Sequence, residues 1–390
     1  LTDTTLRLGR PFGVASWQLL RDRGLALRDS LLSNAAFQRW ASRFPLTRPI
    51  ARARTRALFD LCAGFVYSQV LFACVRLRLC DILLEGPQTI EQLAARVNLP
   101  LPAAARLIEA AIALRLVERR GSRFGVGDLG AALAGNPGVA AMVEHHALLY
   151  ADLRDPVALL RNEAPSTALG AHWPYAAGEG RAALTPESVA PYSALMAASQ
   201  PLVAADVLAA YRFDRHRCVL DIGGGDGTFL SAVAVAAPKL KLMLFDLPAV
   251  ADRARARFAA AGLPVQAFGG NFYTDALPSG ADLMTLVRVI HDHDDEAALA
   301  LLRAAHAALP MGGRLLLAEP MAGTPGAESV GAYFGFYLLA MGSGRPRRAE
   351  ELTAMLQTAG FSHIRRLKTH QRLLVRILVA SKDRPSVNPS

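Results

Sequence analysis

The sequence predicts an α/β protein in two parts. A Rossmann-like, mainly parallel sheet ending in an antiparallel hairpin follows an all-helical front of winged-helix type. Three observations carry this expectation. From Cys218 onward, short apolar runs alternate with helix-length segments, as in a parallel sheet covered on both faces. The run CVLDI leads directly into the glycine-rich turn GGGDG. Residues 86–127 read as helix, turn, helix and hairpin.

Residues 1–56 hold helical pieces, with a helix expected at 30–43 and then FPLTRPIARAR, where Pro45 and Pro49 break regularity. Residues 57–85 read as one long apolar helix. Its stretch 57–75 has the length of a bilayer span, but Asp60, Ser68 and Gln69 interrupt it. A mid-span aspartate costs about 2.5–3.5 kcal/mol, so a helix buried in a core or a subunit interface is expected instead. Thr89 caps a helix running to Val97, NLPLP turns the chain, and a second helix covers 103–114. LVERRGSRFGVG forms two short strands around Gly121. Residues 131–210 are mainly helical, with a turn-rich loop at 166–181.

The sheet then begins. CVLDI, KLMLFD, VQAFGG, DLMTLVRVI and GRLLLAE are strands, separated by helices at 228–237, 249–261 and 296–309. A helix at 349–359 stops at Gly360, and HIRRLKT pairs with RLLVRILVAS across a short His370–Gln371 turn. The expected domains are a basic arm (1–56), a winged-helix domain (57–135), a helical connector lining the substrate site (136–210), a cosubstrate-binding domain (211–382) and a tail (383–390).

Composition bounds the function. With 52% hydrophobic and 19% charged residues among 390, the chain buries a sizeable core and is not disordered. Cys62, Cys74, Cys80 and Cys218 are scattered without a CxxC pair, which disfavours a disulfide scaffold or structural metal and fits a reducing compartment. No secretory signal opens the chain, since residues 1–10 lead into no uninterrupted apolar run. The formal charge of +10 is concentrated: residues 1–56 carry eleven arginines against Asp3, Asp22 and Asp29. Such an arm suits an anionic membrane surface, nucleic acid or an acidic partner, or is simply solvated. The second helix of the winged pattern argues against nucleic acid, because LPAAARLIEAAIALRL offers a groove only Arg106 and Arg115.

LDIGGGDGTFL places glycines between a strand and a helix, where backbone amides approach a ligand closely. Asp246, ending the next strand, suits ribose hydroxyls in this cosubstrate as in NAD. Two features favour S-adenosyl-L-methionine (SAM) over NAD. Thr228 stands where the third glycine of GxGxxG belongs, and Asp221 and Asp226 bracket Gly223 and Gly225 with charge that repels a diphosphate and attracts a sulfonium. Asn271 and Phe272, after the third strand, suit the edge and face of adenine. His291 emerges at the carboxyl edge of the fourth strand as candidate proton acceptor, with Glu319 on the adjacent strand to orient it. The cluster His291, Asp292, His293, Asp294 and Asp295 is also compatible with a metal, but consecutive side chains diverge and its acids suit a helix start, so none is expected.

VLDIGGGDGTFL, FDLPAV, GGNFYTDALP, RVIHDHDDE and the winged-helix front together resemble the SAM-dependent O-methyltransferases of the caffeate and bacterial small-molecule type, over about residues 57–380. The resemblance implies a class I methyltransferase sheet, SAM as cosubstrate, and a homodimer formed through the helical front. It also implies His291 as base, Asp246 as the acid after the second strand and Arg288 as a SAM contact. The chain departs from the family in three places: His293 stands for the tryptophan of HDW, Asn271 for a common aspartate, and Pro346 for a second carboxylate. Glu319 is then the only glutamate expected beside His291.

Within the family, residues 44–83 resemble the carotenoid-modifying O-methyltransferases of purple phototrophs. That implies methylation of a tertiary hydroxyl on an acyclic carotenoid by a cytoplasmic enzyme, peripheral at the inner, photosynthetic membrane. GAYFGFYLLAMG and SALMAASQPLVAADVL are candidate walls for such an apolar substrate. Two alternatives remain: another apolar metabolite as substrate (a polyketide phenol or bacteriochlorophyllide), or a non-catalytic winged-helix regulator.

Overall fold

The structure is a computed structural model that describes residues 12–163, 166–173 and 186–383. The first eleven residues of the arm, part of the turn-rich loop and all but the first residue of the tail lie outside the described residues. The chain forms two compact units, one ending at Ala73 and the other starting at Cys74.

The first unit holds α1 (Phe12–Ser33), α2 (Ala35–Arg43) and most of α3 (Arg48–Arg76). The single helix expected at 30–43 is divided at Asn34, whose side chain accepts from the amides of Ala36 and Phe37 and so caps α2. Pro49 interrupts nothing, because it lies in the first turn of α3, where a missing N–H costs no hydrogen bond. α3 runs unbroken across 56/57, the expected junction of arm and domain. It is long and apolar enough to cross a bilayer. The expectation of a core helix fails within one chain: Leu58, Phe59, Leu61, Phe65 and Val66 are exposed, and among the described side chains before Cys74 only Ala41 is buried.

The long helix expected at 57–85 breaks at Arg78, which adopts a left-handed conformation (φ 52°) and starts α4 (Leu79–Leu84). α5 (Ile90–Arg96) is fixed by a capping box between Thr89 and Gln92. α6 (Leu101–Ala113), β1 (Val117–Arg120) and β2 (Arg123–Val126) complete the winged pattern. Three of its cations are paired with acids: Arg119 with Glu109, Arg120 with Glu118 and Arg115 with Asp128. The connector comprises α7 (Asp128–Ala134), α8 (Pro137–Asp152), α9 (Pro156–Leu160), α10 (Ala168–His172) and α11 (Pro186–Ala210).

The remaining elements are β3 (Cys218–Ile222), α12 (Thr228–Ala236), β4 (Lys241–Asp246), α13 (Pro248–Ala260), β5 (Val265–Gly269), β6 (Leu283–Val287), α14 (Asp295–Ala308), β7 (Arg314–Glu319), α15 (Glu328–Met341), α16 (Ala349–Thr358), β8 (Ser362–Leu367) and β9 (Arg376–Ser381). The strands form a seven-stranded sheet in the order β5-β4-β3-β6-β7-β9-β8, with β9 alone reversed. β3 and β6 are buried at every residue and lie side by side. Alternating residues feed two cores: Leu220 and Ile222 pack with Met284, Leu301 and Leu352, whereas Val219 packs with Leu230, Phe258 and Leu316. The sheet order reverses at β3, so its carboxyl edge opens a crevice between β3 and β6.

The short turn expected at 370–371 is replaced by an eight-residue connection, 368–375. Thr369 Oγ1 donates to the Val375 carbonyl, and the Gln371 amide donates to Asp206 on α11. Leu373 and Leu374 therefore leave the strand.

Candidate active site

The crevice is built from successive strand ends. After β3 the chain turns through Gly223, Gly225 and Gly227, all at positive φ. At Gly225 (φ 61°) an added Cβ would meet nothing within 4 Å, so it would project into the crevice. Asp246, closing β4, accepts from the amides of Gly225 (2.8 Å) and Leu247 (2.7 Å), and Asp221 accepts from Thr285 Oγ1 at 2.6 Å. Burial pushes Asp221 up to about 7 and Asp246 up to about 6. Two carboxylates held without a cation carry this desolvation cost, and an incoming positive charge offsets it. A sulfonium and an ammonium fit such a cradle, as Asp246, Gly225, Asn271 and Phe272 fit a nucleoside.

Asp226 does not act as the open charge that its sequence position suggests. It accepts from the amide and hydroxyl of Thr228, the first residue of α12, and pairs with Arg257 at 2.7 Å. The argument against a diphosphate holds for a different reason, because a carboxylate already occupies the helix N-terminus where one would sit. Asn271 and Phe272 line the crevice with Tyr273 and His293. The Asn271 side-chain oxygen accepts from the Tyr273 amide, so part of the polar edge expected for a nucleobase is engaged in a turn.

At the edge beyond β6, His291 is buried. Its Nδ1 donates to Glu319 Oε2 at 2.5 Å, while Glu319 Oε1 accepts from the amides of Val289 (2.9 Å) and Ile290 (2.7 Å). One carboxylate thereby fixes both the backbone turn and the imidazole orientation. Glu319 is not the only carboxylate beside the ring, since Asp292 Oδ1 lies 3.2 Å from Nε2. Burial works against charging His291, but Asp292 and Glu319 outweigh it and hold the imidazole above its ordinary value. Burial also pushes Asp292 up to about 6. The other acids of this run diverge: Asp294 accepts from the Gly344 amide, and Asp295 binds Arg345 and Arg347. Among the described residues no cluster of metal-ligating side chains forms.

His291 faces a cavity of about 440 Å³ walled by α8, α11, α15 and the 368–375 connection. Met142, Val143, Met196, Val203, Val330 and Phe334 supply apolar surface. Tyr333 in its wall is hydrogen-bonded to His146 at 2.7 Å, and Tyr337 to His145 at 2.7 Å, so both ring hydroxyls are engaged by histidines of α8. Burial pushes His145 down to about 4, keeping it neutral. Arg288 lines both the crevice and the cavity, and its guanidinium donates to Ser199 Oγ (2.8 Å) and Gln200 Oε1 (3.4 Å) of α11.

Sequence reasoning missed the segment that grips the His291 turn. Arg347, 2% exposed, donates to the carbonyls of Ile290 (2.8 Å) and His293 (2.7 Å). Gly344 packs so closely that an added Cβ would lie 2.1 Å from the His291 carbonyl. In SGRPRR one arginine looks like the next, and only burial separates Arg347 from them. Trp173, His145 and His146 were also missed, because only the fold brings α8 and the end of α10 against the tyrosines of α15, whose stretch 331–342 was expected as a wall.

Sheet order, the single reversed strand and the crevice at the switch point define the class: a Rossmann-like methyltransferase fold behind a helical front. Residues 150–362 match the O-methyltransferase domain and residues 59–134 the O-methyltransferase dimerisation domain. The chain belongs to this O-methyltransferase family. It is 45% identical over 340 residues to the demethylspheroidene O-methyltransferase of Cereibacter sphaeroides, covering 86% of this chain and 89% of that one. The protein of the same name from Rhodobacter capsulatus is 41% identical, covering 87% and 85%. Among solved structures, LaPhzM superposes with a TM-score of 0.68 at 27% identity, covering 84% of this chain and 98% of the other. CalO1, a methyltransferase of calicheamicin biosynthesis in its SAH-bound form, gives 0.71 at 25% identity over 84% and 98%.

Proposed function

We propose that this chain methylates the tertiary hydroxyl of an acyclic carotenoid, using SAM, with His291 as general base. The observation that carries this reading is the pairing of His291 with Glu319 at the wall of a 440 Å³ apolar cavity, beside a cationic-ligand crevice. The likeness to two demethylspheroidene O-methyltransferases supports the substrate class.

SAM, when bound, supplies an electrophilic methyl group. Gly223, Gly225, Asp221, Asp246, Asn271, Phe272 and Arg288 are the residues that would hold it. With Nδ1 committed to Glu319, the neutral tautomer of His291 leaves Nε2 to accept a proton. A tertiary alcohol is too weak an acid for full deprotonation by imidazole. His291 therefore takes the proton as the oxygen attacks, and the imidazolium is stabilised by Glu319 and Asp292. Phe334, edge-on to His291 at 5.6 Å, and the apolar walls exclude water and position the substrate.

The protein works as a homodimer, a reading supported by the dimerisation-domain match and by the exposed apolar face of α3. It sits in the cytoplasm, peripheral at an anionic inner membrane and without nucleic acid, in keeping with the acid-paired cations of the winged region. Incubation with labelled SAM and an acyclic hydroxycarotenoid, followed by product identification, tests the assignment: a methoxy carotenoid is expected. His291→Ala lowers kcat about a thousandfold with SAM affinity unchanged by calorimetry. Near-normal turnover in that variant removes the base role.

A further inference from the structure

The cavity has an opening whose composition is unusual. Four of its lining residues are also solvent-exposed: Val139 at 40%, Leu202 at 36%, Leu373 at 50% and Leu374 at 37%. They belong to α8, α11 and the 368–375 connection, which are held together locally. The backbone around Gly138 packs against Ala198 and Ser199, and the Gln371 amide is bound by Asp206, one turn beyond Leu202. Isolated exposed apolar side chains are ordinary, but Val139 and three leucines lining one apolar cavity form a patch at its mouth.

Charge surrounds this patch asymmetrically. From Arg365 to Arg376 the chain carries Arg365, Arg366, Lys368, Arg372 and Arg376, with His370, and no acid. Arg365, Arg366, Lys368 and Arg372 are exposed. The acids near them are few: Glu350 lies 4.0 Å from Arg366, Asp206 is occupied by the Gln371 amide, and Glu328 precedes the lining residue Ser329. Apolar side chains at the centre with cations around them match the acyl region and anionic headgroups of a phospholipid surface. A soluble substrate requires neither.

We propose that this mouth docks on an anionic lipid bilayer, so that the apolar substrate passes from membrane to cavity without crossing water. The proposal rests on the reading above only for what enters. The surface lies in the catalytic unit itself and is independent of the arginine-rich arm at 1–56.

Sedimentation of the full chain with phosphatidylcholine vesicles, with and without phosphatidylglycerol, tests it. Binding is expected only to the anionic vesicles, weakening as salt rises. Lys368→Glu/Arg372→Glu is expected to weaken that binding about tenfold or more, with turnover of detergent-dispersed substrate unchanged. Leu373→Ser/Leu374→Ser is expected to weaken it at every salt concentration without altering oligomeric state. Equal binding to neutral vesicles, or unchanged binding by Lys368→Glu/Arg372→Glu, overturns the proposal. So does binding that is lost only in Arg52→Glu/Arg54→Glu/Arg56→Glu. A dimer that dissociates on Leu373→Ser/Leu374→Ser assigns the patch to a second copy and likewise overturns it. Vesicle binding as expected, with no methylation of a hydroxycarotenoid, removes the functional reading and leaves the docking surface standing.

Discussion

The crevice and the cavity meet at Arg288 and Asp292, yet they are built in opposite ways. The crevice is made by consecutive strand ends of one sheet, with backbone amides and short side chains locked by parallel register. Its carboxylates are buried and pushed upward, so it is prepared for charge. The cavity is made largely by side chains of three helices and a connection outside the sheet, and the tyrosines and histidines of its wall are paired with one another. A ligand site set in the sheet cannot change without disturbing the core. One walled by peripheral helices can be reshaped residue by residue, which allows one scaffold to keep its cosubstrate and vary its acceptor.

Three substitutions sharpen that contrast. Asp246→Asn removes a charge that two backbone amides hold in place, and is expected to cost about 2 kcal/mol, or ~thirtyfold, in SAM affinity while acceptor binding stays unchanged. Calorimetry with SAM and fluorescence quenching with the carotenoid measure the two separately, and equal losses in both would erase the division. Glu319→Gln acts at the junction. His291 is held above its ordinary value and must be neutral to accept a proton, so kcat/KM rises with pH through that raised value and is lost below it. Removing the Glu319 charge moves the acid limb to lower pH and lowers the plateau; a limb that stays put assigns the titration elsewhere. The smallest effect belongs to the cavity wall. Tyr333→Phe deletes one hydrogen bond to His146, worth about 1 kcal/mol, and is expected to lower the melting temperature slightly and leave SAM affinity untouched.

The arrangement of β3 to β7 was legible because alternation of apolar runs and helices is a local signal, and the glycine turn marks where the sheet reverses. A boundary moved where proline was read as a break: Pro49 lies inside the first turn of α3, where proline is tolerated. The break at Arg78 carries no residue signature, since an arginine rarely takes positive φ. Leu373 and Leu374 were read as strand because they are apolar. They leave the sheet for the cavity mouth, a distinction made by the hydrogen bond from the Gln371 amide to Asp206 of α11 and not by composition. Asp226 looked like a free charge and is a paired one, because its partners Thr228 and Arg257 are brought to it only by the turn and by α13.

By itself the sequence determined the strand and helix grammar, the cosubstrate turn and the candidacy of His291, all of which are written in residues close together in the chain. The pairing with Glu319 was also legible, because both residues close adjacent strands. Tertiary structure alone decided what else surrounds that histidine: Asp292 is turned toward its Nε2, Arg347 comes from the segment before α16 to hold its turn, and α8, α11 and α15 assemble the cavity wall. Spacing along a chain specifies which side chains share an element. Which elements share a neighbourhood is set by the sheet order and the burial of its two faces.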